Sequence, residues 1–403
     1  MPERIIIIGA VALGPKVACR LKRLNPEARI TLIDRDNLIS YGGCGIPYYI
    51  GGDIADLKGL FSTFAHAVRD IEFFRTDKGV DALVGVEAIS INRKEKKLLV
   101  RNVNSNKELE LEYDKLVIAT GATPVRPPFP GVDLSGVFVV SNLHHASAIK
   151  ERISKGAVEK AVVIGAGAVG IELAEAMADM WEVDTTIIEM ADHVLPAALG
   201  KNISAVVEKE LRENDINLLL SQKVVRINGD KENRVTSVET TETTVSCDMV
   251  VLAAGVRPNS ELAKDAGLAI GRYGGILVDP CMQTTDPDIY AGGDCVEVQN
   301  IINGQSMLMP LGSLANRQGR IIATNINGGC EHFKGAVGSF CIKVFGLGVA
   351  KAGLTFEQAE SAGFDPVYSV VSQSDRAHFY PDSDFMYMKL IADRKTRKIL
   401  GVE

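Results

Sequence analysis

The chain has 403 residues, too many for one hydrophobic core, so two or three domains are expected. Its content is 46% hydrophobic and 24% charged, as in ordinary globular proteins, and its net charge of -7 argues against a nucleic-acid partner. No apolar run is long enough to cross a bilayer. Residues 5–13 come nearest to a signal core, but Lys16, Arg20, Lys22 and Arg23 follow at once, so the segment reads as a buried strand and turn. A cytoplasmic location is expected. The seven cysteines are scattered, odd in number and free of any CxxC pair, which argues against a zinc site or a secreted disulfide framework.

Residues 4–8 form a short continuous apolar run, the pattern of a central parallel strand. Gly9 and Gly14 follow, then a helical stretch over 15–24 and a second apolar strand over 30–33 that ends at Asp34. Asp34 stands about 20 residues past the turn, where a carboxylate accepts from a ribose hydroxyl while the pyrophosphate rests on the helix N-terminus. The middle glycine of this dinucleotide fingerprint is replaced by Val11.

Next comes Ser40-Tyr-Gly-Gly-Cys44-Gly-Ile-Pro-Tyr-Tyr49, a glycine–aromatic turn around one cysteine. A helix starting near Pro47 is expected to set partial positive charge beside the sulfur and favour its thiolate. Antiparallel strands are expected over 83–92, 97–102 and 108–112, and a strand over 116–119 leads into Thr120-Gly121-Ala122. His144 and His145 open a helix for which Ser141 is the expected N-cap.

A second fingerprint is complete. The strand 161–164 runs into Gly165, Gly167 and Gly170, then a helix over 171–180, then a strand over 185–188 ending at Glu189. Glu189 accepts from a free 2′-hydroxyl and repels a 2′-phosphate, so NADH is expected to be preferred over NADPH. The strand 249–253 then exits through Ala254-Gly255-Val256, echoing the earlier exit at Gly121. Residues 284–294 end in Gly-Gly-Asp294, and residues 310–320, including Ala315, open a helix.

In this order the motifs resemble the pyridine nucleotide–disulfide oxidoreductases, over the whole chain. The single cysteine resembles that of the one-cysteine branch: coenzyme A–disulfide reductases, NADH oxidases and peroxidases, and persulfide or polysulfide reductases. Ile39 stands where the other branch carries its second cysteine. The resemblance implies an α/β fold of two nested Rossmann-like (three-layer ββα/βαβ) domains with a C-terminal α+β interface domain. The expected division is an FAD-binding domain over 1–122 and 253–330, an NAD-binding domain over 123–252, and a dimerisation domain over 331–403 that is cut short. Relatives of this kind continue with helices and a terminal segment that brings a partner tyrosine to the site.

It further implies that Gly9, Val11, Gly14, Asp34, Ser40, Thr120, Gly121, Asp294 and Ala315 hold FAD. Gly165, Gly167, Gly170, Glu189 and Gly255 are implied for NADH, and Glu172 for a place near the nicotinamide and flavin. The helix at 310–320 is expected to turn its amides toward the flavin's pyrimidine edge. The implied reaction carries electrons from NADH through FAD and Cys44 to coenzyme A disulfide, a persulfide or a polysulfide. Lys16, Arg20 and Arg23 lie on one helix face and are implied for the phosphates of a coenzyme A-like substrate.

Two alternatives stand beside this: an NADH oxidase cycling through Cys44 sulfenate, and a flavoprotein redox sensor or electron-transfer reductase. Ala12 stands where oxidases and peroxidases often carry a histidine, which weighs against the first. His378, in an interface-like phrase, is read as structural. A homodimer is expected, with no nucleic-acid or membrane partner and no metal.

Overall fold

A computed structural model describes residues 2–403. Its centre is two five-stranded parallel sheets built on one plan. In the first, Arg4–Ile8 pairs with Arg29–Asp34 on one side and Lys115–Ile118 on the other; Asp81–Val84 and Ile289–Ala291 form the edges. In the second, Lys160–Ile164 pairs with Asp184–Ile188 and Met249–Leu252, and the edges are Asn217–Leu219 and Val137–Val139.

The modules are nested. The edge strand Ile289–Ala291 of the first sheet comes from chain that has already completed the second. The central strands are apolar because helices and loops cover both faces: Ile7, Ile33 and Val117 have no exposed surface. Burying each such side chain is worth roughly 1.5–3 kcal/mol.

Each module also carries a three-stranded antiparallel sheet, Val86–Asn92 with Lys97–Asn102 and Glu108–Glu112 in one, Val224–Gly229 with Val235–Thr240 and Thr244–Ser246 in the other. The strand expected over 83–92 is two strands. Gly85 takes φ +65°, a left-handed conformation that ends Asp81–Val84 and turns the chain into the second sheet.

The two exits recognised in the sequence meet as an antiparallel ribbon, Ala122–Pro124 against Val256–Pro258. Asn259 latches it: its Nδ2 donates to the Thr120 carbonyl at 2.8 Å and its Oδ1 accepts from Thr123 Oγ1 at 2.7 Å. The helix Leu143–Ser154 is capped by Asn142, not by Ser141, because the Asn142 carboxamide oxygen accepts from the His145 amide at 2.9 Å.

The last segment is a five-stranded antiparallel sheet, Phe340–Val344, Leu347–Gly353, Ile399–Val402, Phe385–Asp393 and Pro366–Ser374 in spatial order, with the helix Phe356–Ser361 beside it. Its outer hairpin exposes Tyr368, Val370, Val371, Phe385 and Tyr387. No helix among the described residues is long and apolar enough to cross a membrane.

Candidate functional site

Both fingerprints fold into the same strand–turn–helix, and the same contacts hold them. A β-carbon at Gly9 would lie 2.0 Å from the Ala119 carbonyl oxygen, and one at Gly165 would lie 2.5 Å from that of Ala253. The third glycines are as tight: at Gly14 and Gly170 a β-carbon would meet the carbonyl oxygen of Gly9 at 1.9 Å and of Gly165 at 2.0 Å. The middle position differs. Gly167 faces open space, while Val11 is half-buried and packs against the core containing Tyr41 and Ile46.

The acidic strand ends are equivalent too. Asp34 Oδ2 accepts from the Ala10 amide at 2.7 Å and Oδ1 from the Asp36 amide at 2.9 Å. Glu189 Oε2 accepts from the Ala166 amide at 2.8 Å and Oε1 from the Ala191 amide at 2.8 Å. Each carboxylate is thus fixed by backbone and keeps lone pairs for hydroxyl donors. Burial pushes the Asp34 acid up, against the pull of these two amides.

The residues present fit two dinucleotides. The helices Leu13–Leu24, Ala168–Trp181 and Gly312–Ile326 all begin without a side-chain cap or an acid in the first turn, leaving amides for an anion. Space is open beside Gly121, Gly255 and Gly312. Asp294 is mostly buried, and burial alone pushes its acid up to about 6, with no hydrogen bond among the described residues to offset it. Its turn is held by Gln318, whose Oε1 accepts from the Gly293 amide at 2.7 Å. Ala315 is buried in the same helix. Ser40, buried at φ 54°, donates its amide to the Ala10 carbonyl at 2.7 Å.

A cavity of about 1160 Å³ opens at the second fingerprint, lined by Gly165, Gly167, Glu189, His193, Lys223 and Gly255. Lys201 lines it as well and is paired with Asp192.

Cys44 lies in the short turn Gly43–Gly45, with its surface exposed. The helix expected at Pro47 is there as Ile46–Gly51, yet the thiol is not driven toward thiolate. Burial raises its pKa, the charge of Glu172 raises it further, and Asp294 adds in the same direction. The sulfur therefore lies in the field of one carboxylate from each module. Glu172 itself is pushed up to about 7, first by burial and then by the Glu175 charge. It lines a small recess with Tyr48, Asp53, Asp179 and Lys343.

The basic face is divided. Arg20 Nη2 donates to Thr324 Oγ1 at 2.9 Å and lies 3.5 Å from Glu331 Oε1, so its head group is already held. Lys16 runs against Gly319, and Arg23 is exposed. His378 lies in the exposed turn of the outer hairpin, its ring edge-on to Phe379.

Sequence reasoning had no sign of Asn259 or Gln318, whose partners are remote along the chain. Among the described residues no cluster of three acidic, histidine or cysteine side chains is arranged for a metal.

Comparison with known proteins places this geometry. Residues 3–319 match the model for pyridine nucleotide-disulphide oxidoreductases, and residues 340–403 match the dimerisation domain of the same group. An NAD(P)H coenzyme A polysulfide/persulfide reductase of Pyrococcus horikoshii is 34% identical over 403 residues, covering 100% of this chain and 87% of that protein. An NADH oxidase of Methanocaldococcus jannaschii is 35% identical over 400 residues, covering 99% and 87%. The solved structure of an NAD-dependent persulfide reductase from A. fulgidus superposes with a TM-score of 0.96 at 39% identity, covering 99% of this chain and 73% of that one. The chain belongs to the pyridine nucleotide-disulphide oxidoreductase family.

Proposed function

We propose that this protein passes two electrons from NADH through FAD and Cys44 to a sulfur acceptor, either coenzyme A disulfide, a persulfide or a polysulfide. The observation that carries the reading is the position of Cys44: an exposed thiol within the fields of Asp294 from one dinucleotide module and Glu172 from the other. The chain is an NAD(P)H-dependent flavoprotein oxidoreductase of this family, with a dimerisation domain that makes it a homodimer.

Asp34, Asp294, Gly121 and the uncapped helices at Leu13 and Gly312 would hold FAD. Glu189, Gly167 and Gly255 would hold NADH in the large cavity. FAD, when bound there, supplies the two-electron relay between the nicotinamide and sulfur. Cys44 does the sulfur chemistry. Its thiolate attacks the acceptor's sulfur–sulfur bond, one thiol leaves, and the remaining sulfur stays on Cys44 as a mixed disulfide. Glu172, with its acid pushed up to about 7, can gain or lose a proton near neutral pH, and its charge acts on that sulfur.

The proposed division into 1–122 with 253–330, 123–252 and 331–403 is supported by the grouping of the strands into two parallel sheets and one terminal sheet. A cytoplasmic location is in keeping with seven cysteines that are all free.

The test is anaerobic NADH oxidation by FAD-loaded protein with coenzyme A disulfide or polysulfide as sole acceptor. Turnover lost in Cys44→Ser supports the reading, and the faster acceptor names the substrate. No anaerobic turnover with brisk oxygen consumption would move the protein to the second reading, an NADH oxidase working through Cys44 sulfenate. The exposure of that sulfur is what favours the oxidase.

A further inference from the structure

Two thiols and an imidazole gather away from Cys44, just past the end of the helix Gly312–Ile326. Cys330 is exposed, and its Sγ lies 3.7 Å from His332 Nε2. Cys281 comes from a distant turn and is brought alongside by one side chain. Asn325 Nδ2 donates to the Cys281 carbonyl at 3.0 Å and to the Glu331 carbonyl at 2.8 Å, while its Oδ1 accepts from the Glu331 amide at 2.7 Å. The Phe333 amide donates to the Pro280 carbonyl at 2.7 Å, a further tie between the two segments.

A disulfide needs its α-carbons roughly 4.4–6.8 Å apart, and the Asn325 carboxamide sets the Cys281 backbone beside that of Glu331, the neighbour of Cys330. The charge of Cys330 contributes to raising the Cys281 thiol, after burial and Asp279. Gly328, at φ +80° with open space around it, lets the chain before Cys330 adjust. Glu331, the next residue, is the one that pairs with Arg20 at 3.5 Å.

We propose that Cys330 and Cys281 form a second thiol–disulfide couple, separate from Cys44, that is oxidised by low-molecular-weight disulfides. His332 Nε2 takes the Cys330 proton as Sγ attacks one sulfur of the small disulfide. That sulfur–sulfur bond breaks, one thiolate leaves and recovers the proton from the imidazole, and a mixed disulfide remains on Cys330. Cys281 Sγ then attacks the Cys330 sulfur, its own proton passing to the second departing thiolate. Two protein thiols have lost two electrons and one small disulfide has become two thiols, with no other reactant. The closed couple ties the end of the helix Gly312–Ile326 to the turn at Cys281, beside the Glu331 that holds Arg20.

The test is an anaerobic incubation of the FAD-loaded protein with oxidised glutathione, a quench with N-ethylmaleimide, and peptide mapping by mass spectrometry. A linked Cys281–Cys330 peptide is expected from the wild type. Cys281→Ser should instead stop at glutathionylated Cys330, and His332→Asn should slow modification of Cys330 by about tenfold or more. Two results overturn the proposal. One is a lasting glutathione adduct on wild-type Cys330 with no linked peptide. The other is full alkylation of both thiols by the quench when Cys44 has already reacted.

Discussion

Glu189 accepts the Ala166 backbone amide at 2.8 Å, which ties the acidic strand end directly to the glycine turn. One carboxylate thereby sets the turn and faces the cavity that would take the nicotinamide cofactor. Glu189→Ala is expected to cut kcat/KM for NADH by about 10–100-fold, the equivalent of a charge-assisted hydrogen bond worth roughly 1.5–3 kcal/mol. NADPH should lose much less, because the repulsion of its 2′-phosphate goes with the carboxylate. Lys223 lines the same cavity and would assist it. Equal losses for the two cofactors would show that Glu189 serves the turn alone.

The Cys44 thiol is raised in part by the charge of Glu172. Glu172→Gln removes that charge, so the thiolate fraction at neutral pH should rise. Alkylation of Cys44 by iodoacetamide is expected to become about 2–5-fold faster, the range a single screened charge produces. Peptide mapping separates Cys44 from the exposed Cys330 and Cys341. An unchanged or slower rate would place Glu172 outside the sulfur's field.

The same residue gives a pH signature in stability. The Glu172 acid is raised from 4.5 to about 7 on folding, so the folded state holds its proton more tightly than the unfolded chain. Its contribution is complete below the unfolded value and is lost as pH rises through about 7. Glu172→Gln is neutral throughout. Compared with wild type it should gain about 1 kcal/mol above that range, after discounting for solvent screening, and little below it. Thermal unfolding of both proteins at about pH 5 and about pH 8 checks this, and a difference that does not change with pH rejects it.

How much of this was legible follows from the range of each interaction. Asp34 and Glu189 could be found because a strand–turn–helix of fixed length brings the acid back to the glycine turn. The Cys44 turn could be found because its glycines and its one cysteine are contiguous. Its electrostatics could not. The short helix at Ile46 was visible, but the burial around the sulfur, and then the charges of Glu172 and Asp294, come only from tertiary packing, and together they reverse the expected direction. The cap at Asn142 was missed by one residue, since Ser141 and Asn142 are both good caps and only the backbone decides between them. Gly85 did carry a signal: a glycine inside an apolar run marks a break as readily as a strand.

The basic face makes a graded prediction. Arg20 is already held by Thr324 and Glu331, whereas Arg23 is exposed. Lys16→Ala and Arg23→Ala are expected to raise KM for coenzyme A disulfide by about 3–10-fold, as loss of one phosphate contact would, and to leave inorganic polysulfide unaffected. Arg20→Ala should instead lower thermal stability. Equal effects on both acceptors would remove the phosphate role from this face.

The outer hairpin supplies the last test. Tyr368, Val370, Val371 and Tyr387 are 45–50% exposed on paired strands in the segment that matches the dimerisation domain. Tyr368, Val370 and Tyr387 share one face of the hairpin and Val371 lies on the other, and so much exposed apolar surface on one element needs a partner surface. The pair Val370→Glu and Tyr387→Lys places opposite charges on diagonal positions of one face, since Ser372 faces Tyr387 and Val370 faces Lys389. The hairpin can then fold while its apolar contact with a second copy is lost. Light scattering after size exclusion should read a dimer for the wild type and a monomer for the double variant. An intact dimer in the double variant would move the interface away from this hairpin.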